Sequence, residues 1–190
     1  IKDVPVSLTS LDESALSTFG QAGEDIQFLT ARVPSLIIET SYGRIFPRPY
    51  IRGLGNTDFD FNASQPVSFI YDEIVYENPV LKGFPVFDTA RVEVLRGPQG
   101  TLFGRNTPAG ALKFESVKPG DELDAYLRAS YGTFGTANVE GAVGGPVSDR
   151  VSVRLAGVFQ TRDDYIKTAL PTGGADAGGY DDLAWRAQVK

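Results

Sequence analysis

The sequence predicts an α+β domain followed by a purely antiparallel β region, and three observations carry this prediction. Helix and strand patterns are mixed over residues 1–120. Residues 121–190 contain only strand patterns, in which apolar and polar residues alternate. The 190 residues also include 21 glycines and 11% aromatic residues, a composition typical of turn-rich β structure. We therefore place a domain boundary at residue 120.

The first region is expected to form a small mixed sheet with short helices. Residues 4–9 alternate as a short strand, and Ser10 and Glu13 have the spacing of a capping box that opens a helix. Residues 24–34 predict a second helix, and residues 87–90 a third, very short one. Further strands are predicted in six segments: SLIIET, RPYIRG, PVSFIYD, EIVYE, RVEVLRG and ALKFES.

The second region consists of strand patterns of roughly 9–11 residues, the length that crosses a bilayer when a strand is tilted. Residues 144–150 form a short connection and residues 163–182 a long polar one, an arrangement typical of outer-membrane barrels. The same alternation also fits the half-buried sheet of a soluble sandwich. Because a bacterial membrane barrel needs at least about 8 strands, the barrel interpretation makes this chain a fragment.

Composition excludes several functional classes. A net charge of −6 does not suit a nucleic-acid-binding protein. The chain has neither cysteine nor histidine, so disulfides, thiol chemistry and the commonest general base and metal ligand are missing. We therefore predict no catalytic site, no metal site and no cofactor, and expect that the chain is not an enzyme.

Two glycine-rich or acidic segments resemble ligand loops only in part. GPQGTLFG lacks the Lys-Ser/Thr ending of a phosphate-binding loop. Residues 58–63 begin like a calcium loop, but Ala63 and Phe69 replace its required glycine and glutamate. We therefore expect no nucleotide binding at the first segment and a solvated loop at the second, with a weak cation site as the alternative there.

Two arginines end predicted strands directly before a glycine, Arg52 in YIRGLG and Arg96 in VLRGPQ. Guanidinium groups at strand ends are easily solvated, which is one interpretation. The other is that both charges point at carboxylates supplied from elsewhere, with glycine allowing close backbone approach. The pattern alone leaves both interpretations open.

Three blocks, PYIRGLGNTDF, FIYDEIVYENP and FDTARVEVLRGPQGTLFGRNTPAGAL, resemble in order and spacing the plug domain of TonB-dependent outer-membrane receptors. GGPVSDRVSVRLAGVFQTRDDY is similar to the first barrel hairpin of that family. The resemblance implies an α+β plug domain inside a 22-stranded transmembrane β-barrel of a Gram-negative outer membrane, with the plug facing the periplasm and the lumen. Residues 1–120 would be the plug and residues 121–190 the first barrel strands.

The family resemblance also implies a function. Such receptors take up a scarce ligand, and we expect a ferric siderophore here because that is the family's commonest use. TonB, with the ExbB/ExbD complex, would pull on a box expected upstream of Ile1, and outer-membrane lipid would surround the barrel. A glycan, a cobalamin-like compound or an aromatic compound is the alternative ligand. A soluble, plug-like binding module without transport is the alternative of another class.

The resemblance assigns residues to roles. Arg52 and Arg96 match the plug arginines that pair with barrel glutamates and lock the plug to the wall. Structural glycines are expected at five positions: Gly53, Gly97, Gly100, Gly104 and Gly110. Three apices, residues 41–50, 55–64 and 76–84, would carry the candidate ligand contacts: Arg44, Arg48, Asn56, Asp58, Phe59, Phe61, Tyr76 and Phe84.

The sequence departs from the family at one hairpin turn. The usual glycine after the aspartate is replaced in the pair Asp72–Glu73. A two-residue primed turn would force Glu73 into a left-handed conformation that glycine tolerates better. We therefore expect a longer turn at this position.

Overall fold

The computed structural model describes residues 7–19, 25–40, 44–58, 60, 62–169 and 174–190. These residues divide into two compact units. One unit takes the described parts of Ile1–Ser17, Asp25–Phe84 and Thr89–Ser116. The other takes Pro85–Asp88 and Val117–Lys190, together with the described part of Thr18–Glu24. The short segment Pro85–Asp88 therefore belongs to the second unit, although its flanking sequence belongs to the first.

The first unit is built mainly from seven strands. They are β1 (Ser7–Asp12), β2 (Leu36–Glu39), β3 (Arg48–Ile51), β4 (Val67–Tyr71), β5 (Ile74–Tyr76), β6 (Thr89–Arg96) and β7 (Gly110–Ser116). Five of them form a mixed sheet in the order β1-β6-β7-β4-β5, in which only β4 and β7 are parallel. β2 and β3 form a separate antiparallel pair. The predicted mixed sheet is confirmed.

The core of the first unit lies on this sheet. Val67, Phe69 and Ile70 of β4 are fully buried, as are Leu112 of the neighbouring β7 and Val92 of β6. Consecutive buried positions on β4 mean that both faces of this strand are covered, as is usual for a strand in parallel pairing. The segment PVSFIYD is almost continuously apolar for this reason.

The helices differ from the prediction in extent and type. Helix α1 (Glu13–Phe19) is capped by Asp12, whose Oδ1 accepts hydrogen bonds from the Ala15 amide at 2.9 Å and the Ser14 hydroxyl at 2.8 Å. The expected cap, Ser10, lies instead inside β1, and residues 4–6 lie outside the described residues. Because the aspartate can bond the first-turn amides, the strand continues two residues further than the capping-box pattern indicates.

The second predicted helix is a six-residue 3-10 helix, Ile26–Ala31, capped by the Asp25 side chain on the Gln27 amide. Two further short helices were not predicted, a 3-10 helix at Pro79–Lys82 and helix α2 at Gly100–Phe103. The helix expected at residues 87–90 is wrong. Asp88 has a left-handed φ of 46°, and β6 begins at the next residue.

The hairpin between β4 and β5 also differs from expectation. Tyr71 pairs with Ile74, so the turn has only two residues, Asp72 at φ 47° and Glu73 at φ 72°. These are the positive φ values of a primed turn. The Asp72 carboxylate accepts bonds from the Ser116 amide at 3.0 Å and hydroxyl at 2.6 Å. This fixed side chain holds the tight turn without glycine, so the predicted longer turn is wrong.

The second unit contains four strands, β8 (Asp124–Tyr131), β9 (Ala137–Ser148), β10 (Val151–Arg162) and β11 (Tyr180–Val189). They form an antiparallel meander in the order β11-β10-β9-β8, as predicted. The turn between β9 and β10 is tighter than the sequence indicated, because β9 extends to Ser148.

The polarity of this meander is the reverse of that of a soluble sheet. Its apolar face is exposed: Leu127 and Trp185 have 77% and 78% of their surface accessible. The opposite face buries polar residues, including Glu140, Arg154 and Gln160. An apolar outer face with a polar inner face is the pattern of a membrane barrel wall, and this decides between the two interpretations of the alternation.

Within the described residues, no helix has both the length and the apolar character needed to span a membrane.

Candidate functional site

The two predicted lock arginines lie close together on one edge of the first unit. The Arg52 amide donates to the Ser35 carbonyl at 2.9 Å, and the Arg96 Nε donates to the adjacent Pro34 carbonyl at 3.2 Å. Arg96 also donates to hydroxyls of β1, from Nη1 to Ser7 and from Nη2 to Thr9. The Arg52 side chain is exposed and contacts no partner among the described residues. The structure thus brings both arginines to the dipeptide Pro34–Ser35.

The glycines around these arginines have different roles. Gly53 and Gly97 directly follow the arginines and have left-handed φ values of 80° and 95°. At Gly110 a Cβ atom would lie 2.2 Å from the Leu95 carbonyl oxygen, so a side chain there would break the β6–β7 pairing. Gly104 has φ 78°, whereas Gly100 has neither a positive φ nor a close neighbour.

The loop of residues 55–64 is shaped by its own side chains. The Asn56 Oδ1 accepts the Asp58 amide at 2.9 Å, and the Asp58 Oδ1 accepts the Asp60 amide at 3.0 Å. The Asn56 Nδ2 closes the loop by donating to the Ser64 carbonyl at 3.0 Å. These turns leave the carboxylates of Asp58 and Asp60 exposed at the surface. The predicted contacts Phe59 and Phe61 lie outside the described residues.

One residue that the sequence analysis missed joins two of the predicted apices. Asn106 accepts a hydrogen bond from the Ser64 hydroxyl and donates one to the Glu77 carboxylate. Its own carbonyl accepts the Ser68 hydroxyl at 3.0 Å. Asn106 has a φ of 69°, a left-handed conformation that asparagine adopts more readily than most residues. We call this set of contacts the Asn106 bridge; it places Arg105, which is exposed, beside the two apices.

The aromatic residues of the third predicted apex are only partly available at the surface. Tyr76 and Phe84 are half-buried, with their ring centroids 6.2 Å apart. Phe84 also packs edge-on against Tyr71 at 5.2 Å and Phe114 at 5.1 Å. Each ring is therefore packed on one side and partly accessible on the other, and contact with a ligand stays a prediction.

A buried lysine lies at the end of the same apex. Lys82 is 1% exposed, and its Nζ lies 3.5 Å from the Val67 carbonyl and 5.3 Å from the centre of the Phe69 ring. Burial lowers the pKa of Lys82 to about 8, and the negative charge of Glu77 opposes this shift only in part.

The predicted arginines of the first apex differ from each other. Arg44 is half-buried at the edge of the described residues, since residues 41–43 lie outside them. Arg48 lies within β3, is 8% exposed, and has its Nη2 3.9 Å from the Glu39 carboxylate. Little of this side chain is accessible to a ligand in solution. Its role as a ligand contact stays a prediction.

Asp88, whose carboxylate, amide and carbonyl are all hydrogen-bonded, was also missed. Its carboxylate is fully buried and accepts bonds from Arg154, at 2.6 Å to Nη2 and 2.9 Å to Nε, and from the Arg186 Nη2 at 2.8 Å. Its amide donates to the Glu140 carboxylate at 2.9 Å. Its carbonyl accepts the Val117 amide at 3.1 Å and Arg186 at 2.7 Å. All these partners belong to the second unit.

Phe87 supplies the apolar half of this attachment. It packs in a buried cluster with Ala142, Ala156 and Val158, on the covered face of β9 and β10. The guanidinium of Arg186 stacks on its ring, 5.0 Å from the centroid. Phe87 and Asp88 together are fixed by both apolar and charged contacts; we call this pair the Phe87–Asp88 anchor.

The side chains described above are hydrogen-bonding, charged and aromatic groups. In the described parts of the chain, no group of three or more acidic, histidine or cysteine side chains is arranged to hold a metal ion. The exposed groups of the Asn106 bridge and the loop of residues 55–64 can bind a small molecule by hydrogen bonds and charge. The arginines and Asp88 can hold one part of a chain against another.

Comparison with known proteins places these features in one family. The family described as TonB-dependent Receptor Plug Domain matches residues 1–111. The pesticin receptor of Yersinia pestis is 26% identical over 174 residues, which is 92% of this chain and 25% of that protein. The catecholate siderophore receptor Fiu of Escherichia coli K12 is 34% identical over 85 residues, 43% of this chain and 11% of that one. The chain thus spans about a quarter of the length of the pesticin receptor.

Solved structures show the same fold. The ferric yersiniabactin uptake receptor FyuA from Yersinia pestis superposes with a TM-score of 0.84 at 24% identity, over 97% of this chain and 28% of that one. The siderophore receptor PiuA from Acinetobacter baumannii superposes with a TM-score of 0.77 at 15% identity, over 98% of this chain and 24% of the other. The predicted succession of a plug domain and antiparallel barrel strands is confirmed.

Proposed function

This chain belongs to the family of TonB-dependent receptors, and on that basis we propose that it is the N-terminal part of an outer-membrane receptor that takes up a ferric siderophore. The observation that carries the proposal is the match to the plug family together with the similarity to proteins named as a catecholate siderophore receptor and as a ferric yersiniabactin uptake receptor. The plug would close the barrel lumen. The exposed apolar face of β8–β11 would contact outer-membrane lipid.

The mechanism we propose is energised by TonB with the ExbB/ExbD complex. Ligand would bind from outside at the plug apices and at barrel loops, and force on the plug would then open a path. In this scheme Arg52 and Arg96 face glutamates of the barrel wall. The exposed Arg52 side chain supports that role, because a charge held for a partner outside these residues would be free in this chain.

The charge of the apices favours one class of iron chelate. At and beside the predicted apices the exposed or half-buried cations are Arg44 and Arg105, the exposed anions are Asp58, Asp60 and Glu77, and Lys82 adds a buried positive charge near Glu77. The exposed carboxylates of Asp58 and Asp60 would repel a strongly anionic complex at short range. We propose a neutral or weakly charged ferric chelate, such as a hydroxamate, rather than a triply charged catecholate.

The test is uptake of iron-59 chelates by cells that express the full-length receptor, with and without TonB. We expect TonB-dependent uptake of a neutral ferric hydroxamate and weaker uptake of a ferric tris-catecholate. The reverse order would overturn the charge argument while preserving the siderophore proposal. Uptake of neither chelate, together with saturable binding of a glycan or an aromatic compound, would overturn the siderophore proposal itself.

A pair of variants tests whether the predicted apices bind the chelate. Asn106→Ala removes the bridge between Ser64 and Glu77, so we expect weaker chelate binding with an unchanged amount of folded receptor. Asn138→Ala removes an asparagine of β9 that is remote in sequence from the apices and serves as control. Equal affinity in both variants would show that the Asn106 bridge does not shape the binding surface.

A further inference from the structure

Residues 85–88 lie within the sequence that matches the plug family, yet they pack with the barrel strands. The family match runs through residues 1–111, while Pro85–Asp88 belongs to the unit that contains β8–β11. Four residues of the sequence that matches the plug family thus pack with the second unit, and the chain continues with β6 at Thr89. Specific contacts must hold Pro85–Asp88 against the strands of the second unit.

The attachment uses every polar group of one residue. The carboxylate of Asp88 receives two arginines, its amide bonds Glu140, and its carbonyl bonds Val117 and Arg186. Charge-assisted hydrogen bonds to guanidinium are the strong ones in proteins. The amide, the carboxylate and the carbonyl of Asp88 thus all have hydrogen-bond partners within the protein.

The charges around Asp88 balance. Arg154 also bonds the Asp124 carboxylate at 2.8 Å, and the Arg128 Nη1 lies 3.9 Å from Glu140. Three carboxylates therefore face three guanidinium groups: Asp88, Asp124 and Glu140 against Arg128, Arg154 and Arg186. Asp88 and Arg154 are buried at the centre of this network, whereas Asp124 and Arg128 are partly exposed at its margin. Removal of a buried member deprives its buried partner of its counter-charge, which is costly.

The backbone of Asp88 supports the same conclusion. Its φ of 46° is a conformation that non-glycine residues adopt at a cost and keep only where surrounding contacts determine it. The contacts that determine it here are all made with the second unit. The conformation is therefore imposed by the strands and does not require the sheet of the first unit.

We propose that the Phe87–Asp88 anchor is a permanent attachment of the plug sequence to the barrel wall, which stays seated when the sheet of the first unit unfolds or is displaced. Unfolding of the chain by a force applied from the N-terminal side would then stop at residue 85. The anchor is opposite in polarity to the predicted arginine lock, since here the plug sequence supplies the carboxylate and the wall supplies the arginines.

Hydrogen exchange of the full-length receptor in detergent, followed at single-amide resolution over a series of urea concentrations, tests this proposal. The Asp88 and Val117 amides report the anchor, and the Ile70 and Leu112 amides report the sheet of the first unit. We expect the two anchor amides to exchange at least tenfold more slowly than the sheet amides once that sheet has opened. Exchange of all four amides in one common transition would overturn the proposal.

Variants give an independent outcome. Asp88→Asn is expected to remove the difference, because the half-buried guanidinium of Arg186 loses the Asp88 carboxylate and the buried guanidinium of Arg154 keeps only that of Asp124. The exposed Asp149→Asn in the β9–β10 turn is the matched control. Where Asp88→Asn does not insert, Arg186→Lys keeps the charge but not the stacking on Phe87, and we expect a partial loss. Unchanged anchor protection in whichever of the two variants inserts would also overturn the proposal.

Discussion

Arg52 and Arg96 are 44 residues apart in the chain, yet they donate hydrogen bonds to the neighbouring carbonyl groups of Ser35 and Pro34. Arg52 uses its amide and keeps its guanidinium exposed, whereas Arg96 uses its guanidinium. The two residues therefore differ in how much their side chains contribute to the first unit itself.

The first prediction separates these two arginines. Arg96→Ala loses the side-chain bonds to Pro34, Ser7 and Thr9, so we expect a loss of about 1–3 kcal/mol of protection at β1. Arg52→Ala loses no such contact and should leave β1 within about 0.5 kcal/mol of the wild type. Amide exchange of β1 in the full-length receptor measures both. Equal effects on β1 would contradict this division of roles.

The second prediction concerns the Asp72–Glu73 turn. Glu73→Gly removes the left-handed strain and should stabilise the first unit by up to about 1 kcal/mol. Asp72→Ala removes both bonds to Ser116 and should destabilise it by about 1–3 kcal/mol. Urea unfolding of the plug, followed by fluorescence, gives both values. A destabilising Glu73→Gly would mean that the Glu73 side chain is needed for the turn.

The third prediction is that Gly110→Ala disrupts the first unit. The new Cβ would lie 2.2 Å from the Leu95 carbonyl at a φ of 152°, so overpacking and backbone strain combine to about 3 kcal/mol or more. Gly100→Ala is the control, because the nearest neighbour of a Cβ there, the Thr107 Oγ1, would be 3.9 Å away. We expect this control to be neutral or slightly stabilising in the same urea experiment. Similar losses in both variants would contradict the steric argument.

The fourth prediction uses the low pKa of Lys82. Its value of about 8 in the folded state lies below the ordinary 10.5, so the unfolded state binds more protons between these pH values and stability should rise with pH there. Lys82→Met removes a buried charge and should stabilise the first unit by up to about 3 kcal/mol below pH 8. This advantage should shrink between pH 8 and pH 10.5.

Thermal unfolding of Lys82→Met and wild type at a series of pH values measures this difference. Lys118→Met, at an exposed position, is the control and should show no such pH dependence. A constant difference between pH 7 and pH 10 would show that Lys82 keeps its proton throughout.

The fifth prediction tests the polarity of the second unit. Leu155 lies on the exposed apolar face near the middle of β10, so Leu155→Arg should cost about 2–4 kcal/mol in a bilayer. Leu155→Phe keeps the apolar surface and should fold as the wild type does. Folding of the full-length receptor into lipid vesicles from urea measures both. A tolerated arginine would place Leu155 away from lipid.

Local patterns predicted the strands of the second unit but left open which face of its sheet is covered. The alternation around Leu127 and Trp185 continues over enough residues to identify these segments as strands. The family resemblance then favoured a barrel over a soluble sheet. The turn at Asp72–Glu73 was mispredicted because its stabilising partner, Ser116, is distant in sequence.

The same reason explains the two residues that were missed. Asp88 is 66 residues from Arg154 and 98 from Arg186, and Asn106 is 42 residues from Ser64. No spacing rule links positions that far apart, since their proximity depends on sheet order and register. Asp88 moreover stands in a segment whose local pattern favoured a helix, and only the tertiary contacts impose its left-handed backbone.

The balanced charges around Asp88 have an evolutionary consequence. A mutation that neutralises Asp88 alone removes one carboxylate partner from both Arg154 and Arg186, and a mutation of Arg154 alone leaves the Asp88 carboxylate with one arginine. Either step lowers fitness unless a second change follows. Among related receptors, the residue types at positions 88, 154 and 186 should therefore be inherited as a set and should change together.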